Sequence, residues 1–102
     1  MLKQYHVTPD ASTETDLIPE VSSGKAVAFD DIAITALTAA ECMVWVYDST
    51  GTKAHPFPYN VGADDPYHDE MKKFITAGAK VTVESDQADT YFSIFGIETD
   101  NA

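Results

Sequence analysis

Short apolar runs separated by polar turns recur along this chain, and within most runs the apolar positions alternate with a period of two. Near the C-terminus, Lys80-Val-Thr-Val-Glu84 and Tyr91-Phe-Ser-Ile-Phe-Gly-Ile97 are two such runs, joined by the polar link Asp86-Gln-Ala-Asp89. A period of two is the signature of a strand with one face buried. Residues 2–8 alternate in the same way, with Leu2, Gln4 and His6 on one face and Lys3, Tyr5 and Val7 on the other. Residues 16–21 form a second candidate strand, and Pro19 places it on an edge or ends it there, because proline cannot donate to a ladder. The longest signal runs from Lys25 to Leu37 and changes phase: Val27 and Phe29 are odd, Ile32 and Ile34 even. One inserted residue shifts a period-two pattern in this way, so a β-bulge or sharp bend is expected at Asp30-Asp31.

Beyond a link at Thr38-Ala-Ala-Glu41, the run Cys42-Met-Val-Trp-Val-Tyr47 is apolar on both faces, which places it centrally in a sheet or against another subunit. Asp48-Ser-Thr-Gly51 has the composition of a hairpin loop, and Lys53 to Val61, with Pro56 and Pro58, reads as an extended, irregular edge. Between 65 and 74 the period changes. Asp65 can cap a helix, Pro66 suits its first turn, and Tyr67, Met71 and Phe74 share one helical face, so a short helix is expected there, ended by Gly78. The fold class expected is all-β: a β-sandwich with jelly-roll-like topology, about seven or eight short strands, and one short helix near 65–74. It is a single domain, with residues 1–15 as an N-terminal edge strand or arm, 16–98 as the sandwich and 99–102 as a polar tail.

Charge narrows the partners. Seventeen acids face six basic residues, all of them lysine, for a formal net charge of −11. Nucleic-acid binding depends on lysine and arginine displacing counterions from phosphates, so no nucleic-acid partner is expected. Anionic membranes are disfavoured for the same reason, and no apolar run approaches the roughly 20 residues that span a bilayer. The acid excess reads first as solubility; the sharper reading is an acidic face docking onto a basic partner. Cys42 is the only cysteine, which forbids an intrachain disulfide, and its apolar surroundings suit a small hydrophobe. The N-terminal residues lack a secretory apolar stretch, so synthesis in the cytoplasm without a signal peptide is expected.

Candidate chemistry is sparse. Asp64, Asp65, His68, Asp69 and Glu70 form the densest cluster of oxygen and nitrogen donors, and Asp64, Asp65 and Asp69 are weak calcium candidates. An EF-hand pattern is missing, and acids at a helix N-terminus are the simpler explanation. His6, His55 and His68 are too scattered for zinc, and the spacing of a cupin metal site is absent. No Gly-x-Ser-x-Gly elbow or phosphate-binding loop occurs. The expectation is therefore no catalytic residues, no metal and no cofactor. The aromatics Trp45, Tyr47, Phe57, Tyr59 and Tyr67 suit a glycan platform or, preferably, core and subunit contacts.

Residues 17–98 resemble a class of small β-sandwich or jelly-roll proteins on tailed-bacteriophage virions: head decoration (cement) proteins and related fibre or tail components. The residues carrying the resemblance are Leu17-Ile-Pro-Glu-Val-Ser-Ser-Gly-Lys25, Ile32-Ala-Ile-Thr-Ala-Leu37, Val44-Trp-Val-Tyr-Asp-Ser-Thr-Gly51, Thr76-Ala-Gly-Ala-Lys-Val-Thr-Val-Glu-Ser85 and Tyr91-Phe-Ser-Ile-Phe-Gly-Ile-Glu98. The resemblance implies a non-enzymatic structural role in the virion, as a homo-oligomer, often a trimer, bound to a larger assembly such as a major capsid protein lattice. Contact residues expected on that reading are Tyr5, Val7, Trp45, Tyr47, Phe57 and Tyr59. The alternative is a carbohydrate-binding or receptor-binding module of a tail fibre or tip.

Overall fold

The computed structural model describes residues 2–101. Nine strands follow in chain order: β1 (Leu2–Val7), β2 (Thr15–Ile18), β3 (Lys25–Ala36), β4 (Ala40–Tyr47), β5 (Lys53–Val61), β6 (Tyr67–Asp69), β7 (Lys73–Thr76), β8 (Lys80–Ser85) and β9 (Thr90–Asp100). They make two antiparallel sheets. Sheet A has the order β1-β9-β3-β6, with β7 also paired to β3, and sheet B has the order β2-β8-β4-β5. Both β6 and β7 lie along the same strand, β6 opposite Ile32–Ile34 and β7 opposite Ala26–Phe29, so together they act as one interrupted strand. With that pair counted once, the chain passes between sheets in the order of a jelly roll, the two-sheet arrangement built of Greek keys.

The long strands bury the face that their alternation specifies. In β4, Cys42, Val44 and Val46 point into the core, while Met43, Trp45 and Tyr47 stay half-buried on the other side. Val81 and Val83 of β8 and Phe92 and Ile94 of β9 meet the same interior, each with no exposed surface. The phase change in β3 is a bulge: Asp30 pairs with Phe95 and Ile32 with Ile94, leaving Asp31 as the extra residue. Asp31 adopts a φ of 30°, and its N–H donates to Asp30 Oδ1 at 2.9 Å. Without that insertion, Ile32 and Ile34 would face solvent instead of the core.

The helix expected near 65–74 is absent. Among the described residues there is no helix, and the segment is β6, a three-residue break at 70–72, and β7. A single isolated helix of about ten residues is marginal in water, whereas the open edge of β3 offers ladder hydrogen bonds and would otherwise remain unpaired. The three residues expected on one helical face part company: Met71 is buried, while Tyr67 and Phe74 are exposed. Gly78 does turn the chain, at φ 89°, but between two strands. The expected polar tail also shortens, because β9 extends to Asp100 and Asn101 N–H donates to Gly24 O. At the other end, residues 2–7 form the edge strand of sheet A, paired to β9 of their own chain.

Candidate interaction surface

The outer face of sheet A is unusually apolar. On β9 the odd positions point away from the core, which leaves Phe95 at 54% and Ile97 at 50% exposure. Leu2, opposite Ile97 on β1, is 69% exposed, and Phe74, opposite Ala28, is 63% exposed. Because Ala28 also pairs with Ile97, these side chains share one face across four neighbouring strands. A shallow groove of about 390 Å³ runs between them, lined by Leu2, Ala28, Phe95 and Ile97, with Asp30, Lys72 and Lys73 also at its walls. Contiguous apolar surface of this kind marks an interaction site more often than a bare surface.

The outer face of sheet B is organised around one carboxylate. Glu14 Oε1 accepts from Lys53 Nζ at 2.7 Å, while Oε2 accepts from Thr82 Oγ1 at 2.6 Å and from Tyr47 OH at 2.5 Å. Lys53 Nζ also stands 4.3 Å from the Trp45 ring centroid, and Lys80 Nζ 4.9 Å from that of Tyr47. Burial pushes the Glu14 carboxyl up, but the hydrogen bonds from Lys53, Thr82 and Tyr47 outweigh it and hold the group at about 2, below its ordinary 4.5. A carboxyl lowered on folding stabilises the protein fully above its unfolded value, and that stabilisation fades as pH falls from about 4.5 through about 2. Allowing for solvent screening of this partly exposed group, Glu14→Gln is expected to cost about 1–2 kcal/mol at neutral pH. Urea unfolding of both proteins across the acid range tests this, since the gap between them should close toward pH 2. A gap that stays constant with pH would remove Glu14 ionisation as its source.

The residues expected at an interface are not gathered on one surface. Tyr5, Val7 and Phe57 pack against the core, and Tyr59 is part of it. Tyr59 OH donates to Asp69 Oδ2 at 2.8 Å, and burial followed by that hydrogen bond raises the phenol well above its ordinary value. Trp45 and Tyr47 do share the outer face of sheet B, under the lysines described above. A groove of about 290 Å³ is lined by Trp45, Met43, Glu41, Glu84 and Asp86, and Trp45 Nε1 is buried without a hydrogen-bond acceptor. Among the described residues, no group of three or more His, Cys, Asp or Glu side chains is placed to hold a metal ion, Asp64, Asp65 and Asp69 included. Asp69 bonds to Tyr59, and Asp64 N–H, in the β5–β6 link, donates to Ala36 O at the end of β3. The side chain of His55 lies outside those described. Sequence reasoning missed the sheet A face, although the signal was present: Tyr91, Phe95 and Ile97 make β9 apolar on its second face too.

No family model matches this chain, and no curated protein matches it. Among solved structures, it is similar to a chain of the T13 viral particle of IBDV, with a TM-score of 0.48 at 5% sequence identity. It is also similar to a chain of the infectious bursal disease virus Gx strain, with a TM-score of 0.48 at 8% identity. Each match covers 95% of this chain and 31% of the viral one, so the chain spans about a third of the length of those proteins.

Proposed function

We propose that this protein is a non-catalytic structural component of a virion, a decoration or cement protein that binds the head shell of a tailed phage and reinforces it as a trimer. The observation that carries the reading is the open apolar face of sheet A, where Leu2, Phe74, Phe95 and Ile97 are each at least half exposed on one side of the sandwich. An apolar face on a rigid sheet can adhere by buried area without any reacting group. The phage virion itself enters through the resemblance of residues 17–98 described above.

The test is co-sedimentation with head shells assembled without this protein. Wild type should pellet with the shells at a fixed stoichiometry and raise their melting temperature, while Phe95→Ser/Ile97→Ser stays in the supernatant. Failure of wild type to bind shells, or equal binding by the double variant, overturns the reading. Light scattering tests the oligomer separately: a trimer has three times the chain mass of 11.1 kDa, and a monomer would count against it.

A glycan-binding module is the second reading, favoured by the unpartnered Trp45 Nε1 and by the acid-lined groove that Trp45 helps to form. It ranks lower because Lys53 already covers the Trp45 ring, at 4.3 Å, where a sugar would stack. Glycan-array binding that disappears in Trp45→Ala would reverse this ranking.

A further inference from the structure

A strand at the edge of a sheet carries unpaired N–H and C=O groups, and proteins ordinarily close such edges with short strands, proline, bulges or breaks. The described strands leave four edges, and three are closed in those ways. β5 has Pro56 and Pro58 two residues apart, so both lack a donor on the same side of the strand, the solvent side on which an edge proline is tolerated. β2 is four residues long, shifts register between Asp16 and Ile18 and is followed by Pro19. β6 and β7 have three and four residues and are separated by the break at 70–72. β1 differs from all of these. Its six residues hold one unbroken register against β9, include no proline and carry no acidic side chain, although the chain has a formal charge of −11. Among the described residues, its backbone pairs with β9 alone. Alternate residues of an antiparallel strand point their N–H and C=O groups away from the partner, which leaves about three of each on the open side of β1.

The open edge adjoins the apolar face. Leu2, 69% exposed, lies on the outer side of β1 opposite Ile97, and Gln4 lies opposite Phe95. A strand added beside β1 would set alternate side chains in line with Leu2, Gln4 and His6 and so extend that face. A second copy does not suit the edge within the three-fold assembly proposed above. β1 against β1 is a two-fold contact that closes a pair, and a ring of three joined edge to edge would need β1 to meet a closed edge of the next copy. We propose that β1 receives an extended segment of the shell protein as an additional strand of sheet A, main chain to main chain, with an apolar side chain of that segment beside Leu2. This rests on the docking reading above and adds how the partner is recognised. Its backbone is held at β1, and its apolar surface covers Phe95 and Ile97.

Hydrogen exchange of the full-length protein, free and on head shells assembled without it, tests the proposal. Amides on the open side of β1 are expected to exchange at least about tenfold more slowly on the shells, while those of β5, whose edge is closed, keep their free rates. Lys3→Pro and Gln4→Pro separate strand addition from simple coverage, because neighbouring residues direct their N–H groups to opposite sides of the strand. One variant loses a bond to β9 and unfolds at lower urea; the other loses only the open donor. The variant that keeps its stability is expected to bind shells about tenfold more weakly, while serine at the same position binds as wild type does. Unchanged exchange in β1 on the shells, or full affinity in that proline variant, overturns the added strand. Should both proline variants unfold, the exchange comparison alone decides. Protection of β1 in the free protein, together with twice the chain mass by light scattering, would give the edge to a second copy and overturn the assignment to the shell. The two levels fail separately. Wild type that pellets with shells without protecting β1 keeps docking through sheet A and loses only the added strand, whereas wild type that does not pellet overturns both.

Discussion

Phe92→Ala is expected to destabilise the protein by about 3–5 kcal/mol, a large share of the roughly 5–15 kcal/mol that holds a domain of this size together. Phe92 has no exposed surface and lies on the central strand of sheet A, opposite Val7 of β1 and Ile34 of β3. Removing its ring leaves a cavity walled by strands already fixed in their ladders, so the surroundings cannot collapse to refill it. Three residues along the same strand, Phe95 is an equally large side chain with 54% of its surface exposed. Its truncation to alanine is expected to change stability by no more than about 0.5 kcal/mol. Urea unfolding of the two variants measures the contrast, with a lower midpoint and an unchanged slope for Phe92→Ala. Comparable losses at both positions would mean that Phe95 is covered by protein in solution, as an interface between copies would cover it.

That contrast separates what the sequence displays from what it conceals. Alternation locates most strands, and the parity change in β3 locates the bulge at Asp31, because a single-residue insertion is the cheapest way to keep both Phe29 and Ile34 inside. The same reasoning fails at 65–74, where a local helical pattern competes with a non-local edge. Spacing within the segment cannot reveal that β3, more than thirty residues earlier, has hydrogen-bonding groups to satisfy. The surfaces were legible only in part. β4 and β9 are both apolar on two faces, yet Trp45 and Tyr47 sit under Lys53 and Lys80, and Tyr47 donates to Glu14. Phe95 and Ile97 receive no such cover. Which apolar second face is left open depends on tertiary neighbours, so hydrophobicity along one strand could not choose between them. Tyr59 shows the reverse error: tyrosine suits an interface, but here its hydroxyl reaches Asp69 and its ring completes the core.

The two sheets are consequently unlike as surfaces. Sheet B closes its outer face with a hydrogen-bonded carboxylate and lysines over aromatic rings, which satisfies charges internally. Sheet A leaves the apolar side chains of Leu2, Phe74, Phe95 and Ile97 uncovered. A protein whose task is adhesion needs one face that binds and another that does not, because two sticky faces would polymerise it. The polarity of the sandwich therefore argues for docking in a single orientation.

Gly78→Ala is expected to destabilise by about 2–4 kcal/mol, for two reasons that can be separated. First, Gly78 adopts φ 89°, where a Cβ is sterically disfavoured. Second, a Cβ built there would stand 2.6 Å from the Ser49 carbonyl oxygen, a backbone atom of the β4–β5 hairpin that cannot rotate aside. The turn is also pinned on its other flank, because Gly78 N–H donates to Val21 O and Val21 N–H to Ala79 O, both at 2.9 Å. Moving the turn to relieve the clash would therefore strain the β2–β3 and β7–β8 connections together. Gly24 and Gly51 isolate the first term, since they have φ 78° and 85° with nothing within 4 Å of an added Cβ. Alanine at either should cost only about 1 kcal/mol. Asparagine at Gly78 tolerates the dihedral but retains the clash, so it should recover only a small part of the loss. Thermal or urea unfolding of the four variants decides between the terms. If Gly78→Ala costs no more than Gly24→Ala, the hairpin yields freely and the close approach to Ser49 contributes nothing to stability.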